Sequence, residues 1–142
     1  MGRRFRKHET RLMIIADTSV WIDYFRGIDT LHSSKLDMAL GTDELFIGDL
    51  IITELTQGAK TEKSVLQIKD VISKMQCVNM VGQKIAYESA ANYRSLRSKG
   101  ITVRKTIDML IGTFCIHSNA SLIHNDRDFD PMEIHLGLKV LK

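Results

Sequence analysis

At 142 residues, 44% hydrophobic and 26% charged, the chain has the size and apolar content of one folded domain, which excludes a disordered chain. It contains no apolar run of the roughly 18 residues a membrane span needs, and its basic start lacks the apolar stretch of a secretion signal. Cys77 and Cys115 stand alone, without the spacing of a zinc site or a disulfide framework, so a reduced, cytoplasmic protein is expected.

The net charge of +3 is unevenly placed. Residues 1–11, MGRRFRKHETR, carry +4, which leaves −1 on the remaining 131 residues. Residues 1–12 are therefore expected to be a flexible basic N-terminal extension, ahead of a domain over 13–142. A high isoelectric point is no argument for nucleic-acid binding by the domain itself.

In chain order, Met13 to Ala16 is a short apolar run of the fully buried strand type. It runs into Asp17, and Thr18 or Ser19 can cap a helix that follows to about Phe25. Residues 31–40 read as a second helix. A second strand over Leu45–Gly48 leads to Asp49 as an N-cap and to a helix carrying Glu54. Residues 62–75 place Val65, Ile68, Val71, Ile72 and Met75 on one helical side. CVNM (77–80) is a brief third strand, and residues 83–98 form a helix that Gly100 closes. Thr106 can cap a helix whose first turn holds Asp108. SLIH (121–124) is a fourth strand that opens into NDRDFDP, and LKVL (138–141) is the last. Strands alternating with helices predict a single α/β domain, a parallel sheet flanked by helices.

Sheets of that kind bind ligands beyond the carboxyl ends of their strands. Asp17 follows the first strand, Glu54 lies in the helix after the second, Asp108 opens its helix and Asp126 follows the fourth strand. All four gather at one edge of the sheet if the strands are parallel. Each is set in apolar sequence, so the core holds their backbones together while their charges repel. A hard divalent cation resolves that conflict, and oxygen-only ligation suits Mg²⁺ or Mn²⁺ better than Zn²⁺. Such an ion activates water and clamps the oxygens of an in-line phosphoryl displacement, which points to phosphodiester hydrolysis. A single Asp after a strand is more often a helix cap or turn former, and Asp23, Asp43 and Asp49 are assigned to that class.

The segments IIADTSVWIDYFRG, ITELTQG (52–58), RKTIDMLIG (104–112) and HNDRDFD (124–130) together resemble the PIN-domain proteins, specifically the VapC-type ribonuclease toxins of toxin–antitoxin pairs. The resemblance spans about residues 13–141. It implies a Rossmann-like parallel sheet, Mg²⁺- or Mn²⁺-dependent endoribonuclease activity on RNA, a homodimer and inhibition by a cognate antitoxin. DNA contact is implied only indirectly, through the antitoxin complex. The family's acidic positions fall on Asp17, Glu54, Asp108 and Asp126, which the resemblance makes catalytic and metal-ligating.

One departure is His124, where similar proteins have Ser or Thr two residues before the Asp. An imidazole can replace the hydroxyl by hydrogen bonding, or merely fill space. Asp128 is either a further ligand or a salt-bridge partner, and Thr18 and Ser19 either touch the site or only cap the helix. Arg104 and Lys105 either meet RNA phosphates or form a solvated face. Trp21 and Phe25, four apart, suggest core or a dimer contact.

Two rivals differ in class. A PIN-fold binding module would act with its partner on DNA and regulate transcription with little or no cleavage, and would be favoured by a lost acid; none is lost. Aspartyl-phosphate enzymes also place Asp after a strand. The phosphatases among them want Asp-x-Asp, whereas Ser19 stands second after Asp17.

Overall fold

Ile14, Ile15 and Ala16 show no alternation of apolar and polar residues, as expected of a strand covered on both faces. In the computed structural model, which describes residues 12–142, all three are buried in strand β1 (Ile14–Ala16). The expected N-terminal extension, residues 1–11 of it, lies outside the described residues. Strand β1 is central. It pairs on one side with β2 (Leu45–Gly48) and on the other with β4 (Ser121–Ile123). Strand β3 (Gln76–Val78) flanks β2 and β5 (Lys139–Val140) flanks β4, giving a parallel sheet of order β3-β2-β1-β4-β5. The chain builds outward from β1 in one direction and then in the other, so the order reverses between β1 and β4. Open α/β sheets leave a ligand crevice at such a reversal, outside the carboxyl ends of the strands.

Among the described residues seven α-helices connect and cover the strands: α1 (Thr18–Phe25), α2 (Leu31–Leu40), α3 (Asp49–Gly58), α4 (Glu62–Ile72), α5 (Gly82–Ser98), α6 (Thr106–Ser118) and α7 (Asp130–Leu136). Their inner faces bury Trp21, Leu36, Ile51, Leu96, Ile111 and Met132 completely. Trp21 belongs to this core, with its ring stacked on Phe25 at a centroid distance of 5.8 Å. Gly100 stops α5 as expected. At a φ of +80° it lets the chain turn back, and the Gly100 and Ile101 amides close on the carbonyls of Arg97 and Leu96. Asn119, also left-handed at a φ of 57°, ends α6 and turns the chain into β4.

The structure differs from the sequence reading at the helix starts. Asp17, not Thr18 or Ser19, is the N-cap residue of α1, and both hydroxyls are engaged elsewhere. Lys105 precedes α6 and Thr106 is its first residue. Gly48 is the N-cap residue of α3, and Asp49 instead binds the Met80 amide 3.0 Å away, tying α3 to the loop after β3. The third strand begins one residue early, at Gln76, and ends at Val78. Helix α7 was not expected. Pro131 stands in its first turn, where the missing N–H has no intrahelical use.

Gly48 is required by close approach rather than by backbone twist, since its φ of −88° suits any residue. A Cβ there would fall inside the Met80 side chain, with Cγ and Cε each only 2.7 Å away. Met80 is fully buried and has no solvent into which to retreat. Gly48→Ala is expected to lower stability by about 1–3 kcal/mol, as overpacking does. Met80→Ala in the same chain should recover part of that loss, read as coupling in a double-mutant cycle of chemical melts. Strictly additive effects would contradict the packing account.

Candidate active site

The junction between β1 and β4 is stitched one residue past β1. The Asp17 amide donates to the Ile123 carbonyl at 2.9 Å, which sets Asp17 beside the segment leading to Asp126. Glu54 reaches the same place from α3 and Asp108 from the first turn of α6. Asp17, Glu54, Asp108 and Asp126 all line one pocket of about 330 Å³, together with Thr18, Ser19 and Lys105.

The four acids are held differently. Asp17 is 5% exposed and its Oδ2 accepts from the Ser19 hydroxyl at 3.2 Å. Glu54 is half-buried and its Oε1 accepts a short 2.5 Å hydrogen bond from the Thr18 hydroxyl, across 36 residues of sequence. Asp126 opens a 3₁₀ turn over Arg127–Phe129, its Oδ1 accepting from the Asp128 amide at 2.9 Å. Asp108 is 4% exposed, and its buried Oδ2 has no hydrogen-bond partner.

Electrostatics follows from this packing. Burial pushes the Asp17 carboxyl up to about 6, with the charge of Glu54 adding to the effect and the Ser19 hydroxyl opposing it. Burial likewise raises Asp108 to about 7; Asp17, Asp126 and Glu54 add to the rise, and Lys105 pulls the other way. Among the described residues, no lysine, arginine or histidine forms an ion pair with any of the four acids. Lys105 lines the same pocket and lowers the Asp108 pKa without forming an ion pair, so among the described residues the four acids outnumber the cation beside them.

Asp128 is the residue the sequence left undecided. Its carboxylate, with those of Asp108 and Asp126, forms a group whose oxygens lie within 4.8 Å of one another. Its Oδ2 also stands 3.6 Å from Nε of the exposed Arg104. The available signal was the Asp126–Asp128 spacing, which a 3₁₀ turn brings to one side. Thr18 and Ser19, equally undecided, both reach the acids. His124 is buried behind this group: its Nδ1 accepts from the Asp126 amide at 3.2 Å, and its ring centroid lies 5.0 Å from that of Phe129. Burial holds this imidazole below its usual pKa.

An oxygen-only donor set, a buried unpartnered carboxylate oxygen and uncompensated charge fit a hard divalent cation. They do not fit Zn²⁺, which usually takes His or Cys.

The sequence pattern of the family described as PIN domain matches residues 14–134. The chain belongs to the PIN-domain family. Among its PIN-domain relatives is ribonuclease VapC11 of Mycobacterium tuberculosis, 31% identical over 121 residues that cover 83% of this chain and 90% of the relative. VapC ribonuclease Mb1587 of Mycobacterium bovis matches equally, at 31% over the same shares. The PIN fold is shared with VapBC2 of Rickettsia felis, solved bound to a DNA fragment from its promoter, with a TM-score of 0.75 and 17% identity over 92% of this chain and 98% of that one. DNA-bound VapBC of Salmonella typhimurium superposes with a TM-score of 0.72 and 18% identity, over 92% of this chain and 97% of that one. No helix among the described residues is long and apolar enough to cross a membrane.

Asp17 and Asp108 bind protons more tightly folded than unfolded. From about pH 4 to pH 7 the folded state therefore holds the extra protons, and these groups lower stability progressively as pH rises. Above about pH 7 both states are ionised and the penalty is complete. In EDTA, Asp108→Asn is expected to flatten this decline and to be more stable than wild type at pH 7.5, by on the order of 1–3 kcal/mol. Thermal melts at pH 4.5, 6 and 7.5 check it. A variant less stable at pH 7.5 would mark Asp108 as a helix-start residue serving backbone N–H groups.

Proposed function

We propose that the chain is a metal-dependent endoribonuclease, the toxin of a toxin–antitoxin module, acting on RNA at the four-carboxylate pocket and using Mg²⁺ or Mn²⁺. The observation that carries this is Asp108: a carboxylate buried among like charges, one oxygen without a partner, and no ion pair to it among the described residues. Names of relatives supply the substrate class, since two proteins 31% identical to this chain are ribonucleases.

In this reading Asp17, Glu54, Asp108 and Asp126 would hold the ion, with Asp128 beside Asp108 and Asp126 as a further ligand. When bound, the ion would supply activation of water and charge neutralisation for in-line attack at phosphorus. The chain's own residues set the stage for that chemistry. Thr18 orients Glu54, and Ser19 orients Asp17. Burial keeps Asp17 and Asp108 basic enough to exchange a proton for a cation near neutral pH. Apolar anchors behind each acid prevent the cluster from spreading.

The likeness to the VapBC complexes supports a protein partner. A cognate antitoxin is proposed on that likeness and a homodimeric toxin on the resemblance to VapC-type toxins, with DNA contact assigned to the antitoxin complex rather than to this chain alone. The rival reading as a DNA-binding module without cleavage draws on the two DNA-bound complexes. It does not explain why an unneutralised acidic pocket is kept, because acids repel a nucleic-acid backbone unless a cation intervenes.

RNA cleavage by the purified protein should require Mg²⁺ or Mn²⁺ and stop in EDTA. Asp108→Asn should lose at least about 100-fold in rate, the scale of removing one preorganised electrostatic contact. Cleavage-end mapping on total RNA reads both. Undiminished cleavage in excess EDTA, by protein freed of contaminating nuclease, would defeat the proposal.

A further inference from the structure

The acid at 126 depends on a side chain that is not itself in the pocket. Strand β4 ends at Ile123, and the next residue, His124, turns its imidazole under the loop. His124 is 8% exposed and packs on the fully buried ring of Phe129. Its Nδ1 accepts the Asp126 amide at 3.2 Å, and Asp126 in turn accepts the Asp128 amide at 2.9 Å. Two side-chain-to-backbone links, each spanning two residues, thus run in series from the end of β4 to the two acids. Each has the pattern by which short polar side chains replace backbone turns.

We infer that His124 is a positioning residue: by accepting the Asp126 amide at Nδ1 it fixes the backbone from which Asp126 and Asp128 reach Asp108. The inference rests on the proposed nuclease reading for its effect on catalysis, but the hydrogen bond itself is independent of that reading. A backbone amide held in this way cannot rotate without losing its only acceptor among the described residues, so the Cα from which the Asp126 side chain springs keeps its place. The demand is for an acceptor at the δ position, and a ring of the same shape without one does not meet it. Outer groups of this kind typically alter metal affinity or activity by about 10–100-fold when removed.

Chemistry at the δ position provides the test. In His124→Asn the amide oxygen can take the place of Nδ1; in His124→Phe the ring persists against Phe129 but the acceptor is lost. In the metal-free full-length protein, NMR hydrogen exchange of the Asp126 amide should be slow in wild type and Asn, and at least about 10-fold faster in Phe, as a lost protecting hydrogen bond requires. With Mn²⁺ and RNA, Asn should stay within about threefold of wild type in kcat, while Phe should lose about 10–100-fold in kcat with KM little changed. If Phe does not fold, His124→Gln, which moves the acceptor from δ to ε, takes its place in both measurements. An active Phe variant, or an Asn variant as impaired as Phe, would overturn the inference and leave His124 as core packing. Wild type that cleaves no RNA would refute the nuclease reading instead, and amide exchange would still decide the hydrogen bond.

Discussion

Repulsion among carboxylates that the core will not let separate is the constraint on which this structure turns. Asp17 follows a strand with no exposed residue, Asp126 follows another, and Asp108 is succeeded at once by buried Met109. Moving any acid outward would drag neighbouring apolar side chains into water, at about 25 cal/mol for each Å² of apolar surface exposed. The chain therefore keeps charges where they are electrostatically unfavourable. Residues held in that condition tend to mark functional sites, because folding alone gives no reason to retain them.

The hydrogen bonds around the cluster are unequal, and the inequality is informative. Ser19 serves Asp17, Thr18 serves Glu54, and the Asp128 amide serves Asp126, whereas the inward oxygen of Asp108 is left with nothing. Side chains that donate to carboxylates steer them without neutralising them. Arg104 pairs with Asp128 from an exposed position at 3.6 Å, where solvent weakens the attraction. The protein thus orients these acids mainly through neutral donors.

Much of this was legible in the sequence, for identifiable reasons. IIA, LFIG and SLI are apolar runs too short and too uniform for amphipathic helices, and acids stand near their ends. Parallel pairing then brings Asp17, Glu54, Asp108 and Asp126 to one pocket. Less legible were contacts between residues distant in sequence. Nothing near Thr18 announces Glu54, and a hydroxyl at a helix start is read first as a cap. Asp128 was ambiguous because its position depends on the 3₁₀ turn after Asp126, and turn geometry is weakly encoded in NDRDFD. Helix α7 is only seven residues long, too short for its apolar spacing to stand out in sequence. His124 stood out as unusual, but only the fold shows its Nδ1 directed at the Asp126 amide.

The central claim, that a divalent cation relieves a crowded and partly protonated carboxylate cluster, has a direct thermodynamic signature. Protons held by Asp17 and Asp108, with pKa values of about 6 and about 7, must leave when the cation enters. Titration calorimetry of Mn²⁺ into the metal-free protein, repeated in buffers of different ionisation enthalpy, counts the protons released. The account predicts release of roughly one proton or more per ion at pH 6 and almost none at pH 8. Saturable binding with the same proton count at both pH values, or no binding at this pocket, would contradict it.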